Sequence, residues 1–165
     1  MKKLKSYLEW REKEFVEKYE GIRIADNMID SYTAFEFEGQ QGPFVAVINQ
    51  SLLQCDAKPS HPWMLTIAIN YDGKNTNGLP DKPTYKQLDL IENEITEQLP
   101  DHNGYLNLGR ETGENTREIY FACKDFRKPS KVLYQLQQKY NGTIKIDYNI
   151  YKDKYWSSLD RYLPQ

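Results

Sequence analysis

The strongest constraint on this chain is a repeated change of period between Trp63 and Tyr151. From Trp63 to Tyr71 apolar residues alternate, so that Trp63, Leu65, Ile67, Ile69 and Tyr71 share one face, the two-residue repeat of a β-strand. The period then lengthens: Leu88, Ile91, Ile95 and Leu99 recur at helical spacing, and Pro100 ends the run. Thr84 and Gln87 have the spacing of a capping box, which sets the expected start of this helix at Thr84. Alternation returns in Tyr105-Leu106-Asn107-Leu108 and in Arg117 to Cys123, on either side of Thr112-Gly113-Glu114-Asn115, the pattern of a β-hairpin. A second helix is predicted from about Ser130 to Tyr140, with Val132, Leu133, Leu136 and Tyr140 inward and Asn141-Gly142 as a left-handed stop. From Thr143 to Tyr151 the chain alternates once more, with Ile144, Ile146, Tyr148 and Ile150 on one face.

This β-α-β-β-α-β order predicts an α+β protein with a ferredoxin-like antiparallel sheet and two helices on one face. Three further segments attach to it. Residues Lys3 to Tyr19 mix both signs of charge around a stripe of Leu4, Leu8, Phe15 and Tyr19, which predicts a surface-docked helix ending near Gly21. Tyr32 to Phe37 and Phe44 to Ile48 surround a Gly- and Pro-containing turn, a second hairpin that extends or covers the main sheet. At the other end Tyr155, Leu159 and Tyr162, with Trp156 and Leu163 beside them, predict a helical turn that docks on the body with Trp156 as a buried anchor. Gln54 to Pro62 reads as a connecting loop, so the chain is expected to form one domain over residues 1–165. Within it, residues 1–50 hold the N-terminal helix and hairpin, 62–151 the core, and 152–165 the docking segment.

Composition bears on what the core must contain and on what the protein can bind. The hydrophobic fraction of 39% counts 13 tyrosines; without them it falls well below the roughly 45–50% of ordinary globular domains, so tyrosines must help close the interior. With 22 basic and 24 acidic residues the net charge is -2, which gives no global attraction to nucleic acid or anionic lipid. Cys55 and Cys123 show no paired spacing and read as small buried or free thiols in a reducing compartment. Charged residues from Glu9 to Lys13 interrupt any leader-like apolar run, and no membrane-length apolar stretch follows, so a soluble, cytoplasmic protein is expected.

The face of the sheet opposite the helices reads as too polar for a second core and too aromatic for a merely solvated surface, which makes it the natural place to look for function. By alternation it should carry Met64, Thr66, Ala68 and Asn70, Tyr105 and Asn107, Glu118, Tyr120 and Ala122, and Lys145, Asp147 and Asn149. Tyr105, Asn107, Glu118 and Tyr120 are its expected binding contacts, unless the N-terminal hairpin or the C-terminal segment covers them. No catalytic or metal-binding residues stand out, and no cofactor is expected. His61 and His102 lack metal-ligand spacing with each other or with a cysteine. Cys123 falls on a core face, where a thiolate is disfavoured. Glu92 with Glu94, and Glu97 with Asp101, fall on expected solvent faces. The acyl phosphatases that share the fold require an arginine in a Gly-rich loop, and Asn75 to Gly78 has none. RNA-recognition modules of the same β-α order stack bases on aromatic side chains of the central strands, but Met64, Thr66 and Ala68 cannot stack, which leaves only Tyr105 and Tyr120.

Several stretches together resemble a family of uncharacterised bacterial proteins, domain of unknown function 695. These are Asp153-Lys154-Tyr155-Trp156 through Leu163-Pro164, Gly78-Leu79-Pro80 before a helix with Leu90-Ile91-Glu92, and Thr116 to Phe121. The resemblance covers about residues 30 to 164; the family's usual proline after the tail aspartate is Lys154 here. The resemblance implies no activity. The family is similar in architecture to the protein regulators of ribonuclease E, which implies a protein-binding role by fold analogy. A non-catalytic binding or regulatory module with another protein as its partner is therefore the expected function. An enzyme with an unrecognised pocket and an RNA-binding ferredoxin-like domain are the alternatives, and nucleic acid is disfavoured as a partner.

Overall fold

A computed structural model of the protein describes residues 30–55 and 58–165; the helix predicted over Lys3 to Tyr19 lies outside them. Six strands form one sheet: β1 (Tyr32–Gly39), β2 (Gly42–Asn49), β3 (Trp63–Asn70), β4 (Tyr105–Gly113), β5 (Thr116–Cys123) and β6 (Ile146–Lys152). Their spatial order is β1-β2-β4-β5-β3-β6, with every neighbouring pair antiparallel. The β1–β2 hairpin extends the sheet through pairing of β2 with β4. The β4–β5 turn places Glu114 and Asn115 at φ 48° and 67°, the two positive angles that a tight two-residue hairpin turn requires.

Helices α2 (Lys82–Gln98) and α3 (Arg127–Lys139) lie on one side of the sheet. α2 begins earlier than the capping-box spacing predicts, because Asp81 caps it: its carboxylate accepts the Thr84 N–H at 2.9 Å, and Pro83 fits the first turn, where no intrahelical N–H is needed. α3 also starts ahead of its predicted Ser130, with the Asp125 carboxylate accepting the Lys128 N–H at 3.1 Å. It ends at Lys139 with Tyr140 as its C-cap, φ -95°, and the expected left-handed Gly142, φ +79°, lies beyond it in a turn closed by the Thr143 N–H on the Tyr140 carbonyl at 2.9 Å. Leu88, Ile91 and Ile95 of α2 and its C-cap Leu99, with Val132, Leu133 and Leu136 of α3, meet Leu65, Ile67 and Ile69 of β3 and Ile119, Phe121 and Cys123 of β5.

The opposite side of the sheet, expected to be too polar for one, is a second core, because Leu106 and Leu108 replace Tyr105 and Asn107 there and the C-terminal segment covers it. Ala46, Ile48, Met64, Leu106, Leu108, Tyr120 and Ala122 are buried beneath Leu52 and Leu53 of the one-turn helix α1 (Gln50–Leu53) and beneath Trp156, Leu159 and Tyr162 of the C-terminal segment. That segment makes a 3-10 turn over Ser157–Tyr162. Trp156 is 1% exposed and its indole N–H donates to the His61 carbonyl at 2.9 Å. The Asp153 carboxylate binds the start of the turn, accepting from the Ser157 and Ser158 N–H groups at 2.9 and 3.0 Å and from the Ser158 hydroxyl at 2.5 Å.

One irregularity decides which side chains reach which core. Between Asn107 and Gly109 the β4–β5 register shifts, so Leu108 is extra. Ahead of the bulge Tyr105 and Asn107 face the helices; beyond it Arg110 and Thr112 do, opposite Ile119 and Arg117. Gly109 sits at φ +144°, and a Cβ there would lie 2.4 Å from the Val47 carbonyl oxygen, so only glycine fits.

Candidate functional site

The four residues expected to share an open face are divided between the two sides of the sheet. Tyr105 belongs to the helix-side core at 2% exposure, its hydroxyl donating to Asp125 at 2.8 Å. Tyr120 belongs to the tail-side core at 3% exposure. The face assignment is therefore corrected for Tyr105 and Asn107: Leu106 and Leu108, not they, point away from the helices. A sheet that is apolar on both faces gives alternation without saying which phase faces which layer. Neither tyrosine ring is available to stack a base. Asn107 and Glu118 remain partly exposed, on opposite sides, with Asn107 Oδ1 accepting the Gly109 N–H at 3.1 Å across the bulge.

On the helix side a charge cluster fills the end of the sheet beneath α2. Arg117, with no exposed surface, donates from Nη1 to Asp89 at 2.7 Å and Glu92 at 3.2 Å, and from Nε to the Thr112 hydroxyl at 3.2 Å. Its guanidinium lies 4.8 Å from the Tyr85 ring centroid. Arg110 shares Glu92 at 2.7 Å. Glu92 is thus drawn inward as the counter-ion of two arginines, a correction to its expected solvent-facing position. Two cations facing two carboxylates leave no net charge for a ligand, and the cluster serves to bury the end of the sheet. Glu94 binds Lys139 Nζ at 2.7 Å and the Tyr140 hydroxyl at 2.9 Å, tying α2 to α3.

On the tail side a second network reaches the surface. Glu111 accepts from Arg161 at 2.5 Å and from the Tyr162 hydroxyl, and Glu118 accepts from the Tyr120 hydroxyl at 3.1 Å. Burial, with the Glu111 and Glu118 charges, pushes the Tyr120 phenol far above its ordinary value, so it stays protonated and donating. Beside this network Thr33, Phe35, Gln50, Tyr162, Leu163 and Pro164 line an open groove, with Arg161 at its rim. Gln50 donates to the Tyr162 carbonyl at 2.8 Å, while its buried Oε1 accepts no hydrogen bond among the described residues. Phe35 and Phe37 stack with centroids 6.2 Å apart, both tilted against Tyr162, and Phe37 is 44% exposed. The outer edge of β1 pairs with no strand among the described residues.

The remaining reactive side chains do not converge. Burial raises the Cys123 thiol well above its ordinary value, so it is not a thiolate. His61 is buried against Ser60, its Nδ1 2.9 Å from Oγ, in the loop that receives Trp156; His102 is exposed, 3.9 Å from Asp101. No group of three or more metal-ligating side chains gathers among the described residues. No helix among them is long and apolar enough to cross a membrane. Periodicity could not have found the groove, since it joins β1, α1 and the last residues of the chain.

No curated protein and no solved structure gives a significant match to the chain. The model of a family of unknown function, DUF695, matches residues 38–163, a span from the end of β1 through both helices and all of the tail that closes the second core. This chain belongs to that family.

Proposed function

We propose that the protein is a binding or regulatory module that engages another protein through the tail side of the β1–β2 extension, and that it does not catalyse a reaction. The observation that carries this reading is the exposed ring of Phe37 stacked with half-buried Phe35 over the buried Tyr162, beside an open groove. Exposed aromatic anchors beside a groove are what a partner segment can cover with gain. Glu118, linked through Tyr120 and Arg161 to the groove rim, is the member of the sequence-expected contact set that this surface retains. The unit from Trp63 to Tyr151 is inferred to be ferredoxin-like, a reading supported by the adjacency of β4, β5, β3 and β6 and by two helices on one side. We further infer that it folds as one domain with the hairpin and the tail. The test is a photo-reactive amino acid placed at Phe37 and, separately, at exposed Tyr134 on α3, followed by irradiation in cells. Discrete protein adducts are expected at position 37 and not at 134; their absence at 37 would overturn the reading.

A further inference from the structure

Resting on that reading, we propose that β1 takes up, by strand addition along its outer edge, an extended partner segment in which basic residues alternate with apolar ones. β1 runs in unbroken register with β2 over eight residues, Tyr32↔Asn49 to Gly39↔Gly42, with no bulge. In an antiparallel pair, alternate backbone N–H and C=O groups point away from the partner strand, so β1 presents a row of donors and acceptors to its outer side. Native proteins blunt such edges with charges, above all lysine, with proline or with a bulge; β1 has no lysine, proline or bulge, and its only charges are Glu36 and Glu38. The other edge strand, β6, carries Lys152 and follows directly on Lys145.

The two faces of β1 specify what the added strand must carry. Thr33, Phe35 and Phe37 lie on the tail side, where apolar residues of an incoming strand would continue the aromatic surface toward the groove. Glu36 and Glu38 lie on the opposite face, both exposed, and their β2 partners are Val45 and Pro43, so no cation faces them across the hairpin. Neither carboxylate joins an ion pair among the described residues. A basic residue at every second position of the incoming strand would stand opposite these carboxylates while its apolar neighbours covered Phe35 and Phe37. A second copy of β1 fits less well, since antiparallel pairing on itself gathers four glutamates on one face.

The test uses the full chain and a fluorescein-labelled peptide, Lys-Val-Lys-Phe-Lys-Val-Lys, read by anisotropy. Saturable binding that weakens with salt is expected. It should be at least tenfold weaker for the block isomer Lys-Lys-Lys-Lys-Val-Phe-Val, for the peptide N-methylated at alternate amides, and for the Glu36→Lys/Glu38→Lys variant. That variant should instead bind Glu-Val-Glu-Phe-Glu-Val-Glu, which separates a lost charge pair from a lost fold. Equal binding of the block isomer or the N-methylated peptide, or no binding of the first peptide, would overturn strand addition. So would slow amide exchange along β1 in the free monomer, which would mean that the chain covers this edge itself, or a dimer whose formation protects β1. Adducts at position 37 without peptide binding would remove strand addition and leave the proposed surface standing; loss of the adducts would remove the surface as well.

Discussion

The two faces of the sheet are closed in different ways. Helices of 17 and 13 residues cover one side, and they satisfy their own backbone hydrogen bonds and need only an apolar stripe to dock. The other side is closed by a four-residue helix and a six-residue 3-10 turn, too short to hold themselves. Their place is fixed by specific polar contacts: Trp156 to the His61 carbonyl, Gln50 to the Tyr162 carbonyl, and Asp153 to the turn it caps. A layer of this kind should be as essential to stability as the helical one, although single polar contacts hold it in place.

The sharpest way to break this comparison is Trp156→Ala. The side chain is buried in the tail-side core, and truncation should cost about 3–5 kcal/mol, a large part of the roughly 5–15 kcal/mol a domain has in all. A urea midpoint equal to that of the parent would show that the tail is an appendage and the second core an accessory. On the helix side the corresponding change is Glu92→Gln, which leaves Arg117 buried with Asp89 as its remaining anion. About 3 kcal/mol should be lost, the low end for breaking a buried pair, because Asp89 is half exposed and stays in place. An unchanged midpoint would show that Asp89 alone suffices.

The smallest expected effect sharpens the contrast through pH. Burial would raise the Asp153 carboxyl, but hydrogen bonds from the Ser158 hydroxyl and the Ser158 and Ser157 N–H groups outweigh it and hold the group below its ordinary 3.8. Its contribution is then complete above pH 3.8 and is lost as pH falls through the lower folded value. Asp153→Ala should cost about 1 kcal/mol at neutral pH, in the range of a lost cap. The deficit should shrink in acid; a deficit constant down to pH 2, followed by thermal melts, would assign the loss to packing instead.

Most of the helix-side architecture is legible in the sequence. Alternation in Trp63 to Tyr71 and the stripe from Leu88 to Leu99 are local patterns, and a local pattern reports a residue's own element whatever lies far away in the chain. The burial of Trp156 was legible too, since a large apolar residue beside Leu159 and Tyr162 needs a surface to dock on, whereas Tyr155, expected in the same stripe, stays exposed. Both helices start ahead of the predicted Thr84 and Ser130, at Lys82 and Arg127, because Asp81 and Asp125 accept N–H groups of the first turns and only backbone geometry selects them.

What the sequence determined by itself is the six strands and the two long helices, their order and the alternation within each strand, because these follow from the covalent spacing of side chains along the backbone. The tertiary structure alone decided how that alternation is phased between two cores. Leu106 and Leu108 face the tail and Tyr105 the helices because the β4–β5 register and the Gly109 bulge set the phase, and register is a relation between strands. The pairing of Arg117 with Asp89 and Glu92, and the groove between β1 and the chain's last residues, depend in the same way on which distant segments become neighbours.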